Sequence, residues 1–173
     1  MKQLFNHALK ILVLTCIISL TAILLGCNSE QHSDFAIILA DTGEVLLNED
    51  DIAYFIDEDT VFSGSSAFEL NRRGMEKWNS HLTYQGIPKL NETLFSREFF
   101  IEIDGKEICR GKFWSGVSSS IYSGVIIFDS LFKLDGDEYK TIWLRSDNPG
   151  DGLLESSIRS ELVRFFEEHN LLK

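Results

Sequence analysis

The sequence has few basic residues and few prolines. Its 173 residues include 16 lysines and arginines against 27 aspartates and glutamates, so the formal net charge at pH 7 is −11. A chain this acidic is repelled by nucleic-acid phosphates and by anionic lipid headgroups, which argues against both as binding surfaces. Only two prolines occur, and no linker rich in proline, glycine or serine divides the chain after its first segment. One folded domain is therefore expected.

The first 26 residues differ from the rest because they contain no acidic residue. Lys2, His7 and Lys10 come before or at the start of an almost wholly apolar stretch over residues 11–25. That stretch is shorter than the roughly 20 residues that a transmembrane helix needs. A basic start, a short apolar run and a small residue at its end are typical of a cleaved signal peptide. The alternative is an uncleaved amphiphilic anchor, and either segment would hold the chain at a membrane.

The end of this segment, Leu24-Leu25-Gly26-Cys27, resembles the lipobox of bacterial lipoproteins. The resemblance implies that the Cys27 sulfur receives a diacylglyceryl group and that the chain is cut before Cys27. Residues 1–26 would then be the signal peptide, residues 27–34 the lipidated cysteine with a polar tether, and residues 35–173 a single α+β domain. Two or three acyl chains anchor a protein stably. The expected location is the cell membrane or the outer membrane, facing outside the cytoplasm.

Cleavage would change both the charge and the cysteine content of the chain. It removes two lysines and no acidic residue, so the net charge falls from −11 to −13, which favours a domain that stands off the membrane. Cys16 leaves with the signal peptide and Cys27 carries lipid, so Cys109 is left alone and no internal disulfide forms. A buried structural role is expected for Cys109, with a disulfide to a partner as the alternative.

The residue patterns predict an α+β fold with a mostly antiparallel sheet and two or three helices. Helix N-caps are expected at Asn48, Asn71 and Asp151, and the first of these helices would run through Phe55. Gly74 lies inside the second helix, where glycine costs about 1 kcal/mol relative to alanine, so another part of the fold should require it. Strands are expected over residues 35–39, 44–47, 65–70, 99–103, 106–110, 124–128 and 139–144.

The clearest local signal is Asp104-Gly105 between two apolar strands. This dipeptide is typical of a two-residue type I′ turn, which predicts a β-hairpin. With Ile103 opposite Lys106, regular pairing sets Phe100 opposite Cys109. Cys109 would then lie on the face of the hairpin that points away from the core.

Residues 68–78, followed by residues 99–108, resemble the first extracytoplasmic domain of SecD, a translocation accessory subunit. The shared features are a strand that ends in Leu70, a helix that opens with Gly74, and a strand that ends in Asp-Gly-Lys. The chain is also similar to small exported lipoproteins of unassigned function. The SecD resemblance implies a non-enzymatic, ferredoxin-like βαββ core. The sequence shows no counterpart of SecD's membrane helices, so no translocation activity is implied.

No catalytic residue, cofactor or metal site is predicted. Ser118 lacks the second glycine of the Gly-x-Ser-x-Gly elbow of hydrolases. The histidines His32, His81 and His169 are too far apart in sequence to predict a zinc site. Residues 147–158 begin like a calcium loop but place Pro149 at a ligand position and Ile158 where the closing glutamate belongs.

Two acidic runs, residues 49–51 and 57–59, are expected to be solvated charges of caps and loops rather than cation ligands. Glu102 and Glu107 should face each other across the hairpin and stay exposed. Paired carboxylates for acid–base catalysis are therefore not predicted from these residues.

The favoured function is a non-enzymatic binding or envelope-assembly module for an unidentified protein partner. Phe113, Trp114 and Tyr122 bracket a stretch rich in serine and glycine, a composition that suits recognition by a loop. The alternative for Trp114 is a position in the core. The other function considered is a small hydrolase of unrecognised type that uses His81 with dispersed acids. A concave pocket that gathers His81 and two carboxylates would support it.

Lipidation predicts the effect of one substitution. In Cys27→Ser the acceptor sulfur is absent, so labelling with radioactive palmitate should disappear and signal cleavage should stall. Persistent labelling of the serine variant would contradict the anchor.

In an envelope with two membranes, an aspartate at the position of Ser29 usually retains lipoproteins at the inner membrane. Because this chain has serine there, fractionation should place the protein in the outer membrane.

Overall fold

The computed structural model describes residues 34–57, 66–83, 89–90, 94–115, 122–128, 134–136, 139–146 and 154–173. The expected signal peptide, Cys27, Ser118 and residues 147–153 lie outside the described residues. None of the helices in the described part of the chain is long and apolar enough to cross a bilayer.

The described residues form a mixed fold built on an eight-stranded, mostly antiparallel sheet, which confirms the predicted α+β class. The strand order is β2-β1-β7-β8-β9-β10-β4-β3, and β8 with β9 is the parallel pair. Two further strands, β5 and β6, form a small separate sheet. The strands are β1 Phe35–Leu39, β2 Val45–Asn48, β3 Ile52–Asp57, β4 Ser66–Leu70, β5 Leu82–Thr83, β6 Lys89–Leu90, β7 Glu98–Ile103, β8 Lys106–Trp114, β9 Val125–Phe128 and β10 Thr141–Ser146.

The structure does not confirm a ferredoxin-like core. Helix α1, Arg72–Ser80, follows β4 and precedes the β7–β8 hairpin, in the order that the sequence suggests. In the sheet, however, β9 and β10 lie between β8 and β4. The strand before the helix and the hairpin after it are therefore not neighbours.

The two edge strands of the sheet, β2 and β3, are consecutive in sequence. A 3-10 helix of three residues, Glu49–Asp51, joins them, and the pairing directions make both strands run the same way. Four residues of extended chain span at most about 14 Å, so the sheet must curl until its edges approach each other. We call residues 45–57 the closing segment.

The closing segment corrects the prediction of a helix from Asn48 through Phe55. Asn48 does precede a helix, but that helix ends at Asp51 and β3 begins at Ile52. Ile52 and Phe55 are both buried in the core. Pairing with β4 satisfies the backbone here, and this long-range contact overrides the local helix signal.

Asp51 lies at the bend of the closing segment, and its side chain is fully buried. Its Oδ2 accepts a hydrogen bond from the Asn48 backbone N–H at 3.0 Å and from Lys77 Nζ at 2.6 Å, and its Oδ1 lies 2.9 Å from Arg73 Nε. Both cations project from α1. The expectation of solvated charges at residues 49–51 is therefore wrong for Asp51, because helix α1 covers it.

Gly74 is required by the same junction. The Asn71 side chain caps α1 by accepting a hydrogen bond from the Gly74 N–H, which confirms the predicted N-cap. A Cβ atom at Gly74 would fall 2.3 Å from the Asp51 carbonyl oxygen. The Asp51 carbonyl also accepts a hydrogen bond from the Asn71 N–H at 3.0 Å. Glycine thus lets α1 approach the closing segment closely enough for these contacts.

The Asp104-Gly105 turn is confirmed, but the register behind it differs from the prediction. Both residues have positive φ, 51° and 74°, as a type I′ turn requires. The pairing shifts between Ile101 and Glu102, so that Cys109 faces Ile101. Cys109 therefore points into the core and not away from it. A bulge of this kind adds one residue to one strand and reverses the faces beyond it.

Helix α2, Ser156–Glu168, closes the core near the chain's end. Glu155 occupies its N-cap position, so the helix begins later than an Asp151 cap would require. His169 lies at the C-terminal end, as predicted, with Nδ1 2.8 Å from the Phe165 carbonyl oxygen. The helix packs five phenylalanine rings together at centroid distances of 5.0 to 6.0 Å: Phe35, Phe55, Phe68, Phe165 and Phe166.

The Asp51 junction predicts a large difference between two adjacent aspartates. Asp51→Asn should lower the free energy of unfolding by about 2–4 kcal/mol, because it removes a buried anion from two cations that remain in place. Asp50→Asn is the control, since that half-exposed carboxylate meets Arg73 at 3.4 Å and should cost less than about 1 kcal/mol. Urea unfolding of residues 28–173, followed by tryptophan fluorescence, measures both. Equal losses would contradict the role of Asp51.

Candidate functional site

Phe113 and Trp114 lie on opposite faces of β8, because side chains alternate along a strand. Phe113 is fully buried, with its ring centroid 4.9 Å from that of Phe99 and 6.1 Å from that of Trp78. It packs in the core and offers no surface to a partner. The prediction that Phe113 is a contact residue is therefore corrected, whereas for Trp114 and Tyr122 contact stays a prediction.

The outward face of β8 carries an aromatic patch, which we define as Phe95, Trp114 and Tyr122. The Trp114 ring centroid lies 5.4 Å from that of Phe95 and 5.8 Å from that of Tyr122. Lys112 places its Nζ 5.2 Å from the Tyr122 ring centroid. Trp114 and Tyr122 are half-buried and Phe95 is 38% exposed. The three rings thus form a continuous aromatic surface bordered by a cation.

Phe95 lies in a tight turn that is hydrogen-bonded to the backbone of β8. The Ser96 N–H donates to the Phe113 carbonyl at 2.8 Å, and the Phe113 N–H donates to the Arg97 carbonyl at 3.0 Å. Leu94, on the other side of Phe95, is fully buried. Ser96 has a φ of 65°, a left-handed conformation that is costly for a residue with a side chain. The turn therefore fixes an exposed apolar ring.

An ion pair ties this turn to the loop between β1 and β2. Arg97 Nε lies 3.1 Å from Asp41 Oδ2, and Arg97 Nη2 lies 2.5 Å from Asp41 Oδ1. Hydrogen bonding from Arg97 lowers the pKa of Asp41 below its ordinary value. The bidentate geometry orients the guanidinium, and Arg97 in turn helps to position the residues beside Phe95.

His81, the residue considered for a hydrolase, lies just after α1 and is half-buried. Burial lowers its pKa; the charge of Glu44 acts in the opposite direction, and that of Arg97 lowers it further. The imidazole is therefore neutral at pH 7. Within the described residues, no group of three or more histidine, cysteine, aspartate or glutamate side chains is arranged to hold a metal ion.

A shallow groove of about 360 Å³ lies beside the start of α2. Its charged groups are Asp57 and Arg159, which form a bidentate ion pair at 2.7 and 3.0 Å. The groove is also lined by Leu154, Ser156, Ser160 and Val163. It does not contain His81, so it is not the pocket that a His81 hydrolase would need.

Two further sequence predictions concern reactive groups. Cys109 is buried as expected, and burial raises the pKa of its thiol to about 12, so the sulfur stays protonated and unreactive at neutral pH. Glu102 and Glu107 do face each other across the hairpin. Glu107 is exposed and pairs with Arg110 at 2.6 Å, a structural contact of the surface.

Comparison of the chain with protein-family models, with curated proteins and with solved structures finds no match. The sequence pattern indicated Trp114 and Tyr122 but not Phe95. An isolated phenylalanine between a buried leucine and a serine carries no local signal of exposure, and only the pairing of Ser96 with Phe113 turns it outward.

The patch and the core beneath it predict different responses to truncation. Phe113→Ala should lower the free energy of unfolding by about 3–5 kcal/mol, as large-to-small core substitutions do. Phe95→Ala should cost about 1–2 kcal/mol, because Phe95 is 38% exposed and loses only a partly buried ring. Urea unfolding of residues 28–173 measures both losses. If Phe95→Ala costs as much as Phe113→Ala, the ring belongs to the core and not to a binding surface.

Proposed function

We propose that this protein is a lipid-anchored, extracytoplasmic binding module that engages a protein partner through the aromatic patch. Cys27 would carry the acyl chains, and the polar tether would hold the domain away from the membrane surface. The observation that carries the proposal is the exposed ring of Phe95, which a backbone-bonded turn fixes next to Trp114 and Tyr122. No enzymatic step is part of it.

The physical argument is one of preorganisation. Aromatic side chains contribute a large contact area for the loss of only two side-chain torsions, and they are common among residues that dominate binding energy. In this patch the rings are already ordered by each other and by Lys112, so association costs little additional entropy. A protein surface with an apolar pocket and polar rim matches such a patch.

The hydrolase alternative is less well supported. A general base at neutral pH works best with a pKa near 7 and within reach of a nucleophile. Burial lowers the pKa of His81 and the charge of Glu44 acts in the opposite direction, but the groove beside α2 does not contain His81. The groove therefore gives no support to a hydrolase that uses His81.

Affinity capture tests the proposal. The tagged full-length protein is purified from detergent-solubilised membranes, and bound proteins are identified by mass spectrometry. Phe95→Ala and Trp114→Ala should each reduce recovery of a specific partner by roughly tenfold or more, as loss of a dominant aromatic contact does. Val45→Ala is the matched control, because Val45 is 46% exposed on an edge strand outside the patch.

Two outcomes would count against this function. Recovery of the same partner by wild type and both patch variants would place binding elsewhere on the domain. A loss with Val45→Ala equal to that with Phe95→Ala would indicate a general effect on the domain. A photo-crosslinking amino acid at position 95 adds a direct measurement, since it should form partner adducts that the same amino acid at position 45 does not.

A further inference from the structure

The outer edge of β3 is paired with residues 171–173. The Phe55 N–H donates to the Leu171 carbonyl at 2.7 Å, and the Lys173 N–H donates to the Phe55 carbonyl at 2.9 Å. Phe55 and Leu172 form a parallel bridge. Residues 171–173 therefore act as a very short added strand on an edge of the sheet.

The side chain of Lys173 enters a subsite made by neighbouring strands. Its Nζ lies 3.2 Å from Glu69 Oε2 and 5.5 Å from the Tyr54 ring centroid. Tyr54 and Glu69 are cross-strand partners, so carboxylate and ring are side by side. The Glu69 side chain is 7% exposed, and its other oxygen lies 2.8 Å from Lys140 Nζ. A nearly buried carboxylate beside an aromatic ring is a built acceptor for a lysine or arginine side chain.

Glu69 stays charged under ordinary conditions. Burial by itself would raise its pKa, but hydrogen bonds and charges from Lys140 and Lys173 outweigh burial and lower the pKa below its ordinary value of 4.5. The stability that these contacts add is present above pH 4.5 and is lost as the pH falls through the lowered pKa. At neutral pH, Glu69 therefore carries the negative charge that attracts a cation into the subsite.

The contact that residues 171–173 make with β3 is small enough to be replaced. It consists of two backbone hydrogen bonds, a lysine that is 58% exposed, and the half-buried Leu171 and Leu172. β3 is six residues long, and Asp57 turns its backbone groups to the same side as Phe55 because strands alternate. A longer segment would therefore pair along more of this edge than residues 171–173 do.

We propose that the edge of β3 is a strand-addition site for an extended, basic segment of a partner protein, with a lysine or arginine of that segment between Glu69 and Tyr54. In the free protein the chain's own residues 171–173 occupy the site. In strand addition, backbone hydrogen bonds supply the affinity, and the subsite supplies selectivity for a basic side chain. The net charge of −11 favours a basic partner segment over an acidic one. This strand-addition site shares no residue with the aromatic patch, so the test of one site does not depend on the result for the other.

The test uses the full-length chain in detergent and a labelled peptide with the sequence of residues 169–173. Lys173→Glu places an anion against Glu69 and should release the chain's own end, which is measured as faster hydrogen exchange in β3 with unchanged exchange in β7. The same variant should bind the peptide roughly tenfold or more tightly than wild type, whose own end competes at high effective concentration. Lys106→Glu, a charge reversal at the exposed hairpin turn, is the control and should behave as wild type.

Selectivity is tested with a second peptide in which glutamate replaces the lysine. This peptide should bind the Lys173→Glu chain at least roughly tenfold more weakly, and Glu69→Gln in that background should remove the difference between the two peptides. Lys173→Ala is the milder second variant, for which the same order of affinities is expected if Lys173→Glu does not fold. Equal binding of both peptides, or equal binding to wild type and both Lys173 variants, would overturn the proposal.

Discussion

The structure depends on one buried carboxylate, that of Asp51. The chain crosses from one edge of the sheet to the other within the closing segment, and Asp51 lies at the crossing. A charge without exposure to water is stable only when it is paired and hydrogen-bonded. Arg73 and Lys77 of α1 supply the cations and Asn48 a backbone N–H. These contacts hold α1 against the closing segment, whose short connection between β2 and β3 brings the two edges of the sheet towards each other.

Local signals predicted the elements of this fold better than their arrangement. Asp104-Gly105 specifies its turn because few residues adopt positive φ twice in succession, and Asn71 specifies its helix through one hydrogen bond. The bulge that turns Cys109 inward has no such signal, since it follows from how β7 packs between β1 and β8. Residues 49–51 carry helix-capping chemistry but form only a 3-10 helix of three residues, because residues 52–57 pair with β4 as a strand. Wherever the structure differs from the sequence prediction here, the cause is strand pairing and not a local residue pattern.

The candidate site shows the same division. The sequence indicated Trp114 and Tyr122 because aromatic residues stood beside serines and glycines, but it gave Phe113 the same role. Alternation along β8 separates Phe113 from Trp114, and that separation requires knowing which face of the strand is buried. Phe95 joins the patch through a turn held by β8. A surface assembled from three separate segments is visible only once the strand order is known.

The strand order also bears on how the chain can be made. Synthesis delivers β1 to β4 first, yet β1 needs β7 and β4 needs β10, which lies more than seventy residues after it. The β1–β2 and β3–β4 hairpins cannot join one sheet until the strands between them are translated, and Phe55 gains an outer partner only with residues 171–173. Long-range pairing of this kind forms slowly. The complete sheet can therefore form only after β10 has been synthesised, so the order of translation differs from the order in which the strands lie in the sheet.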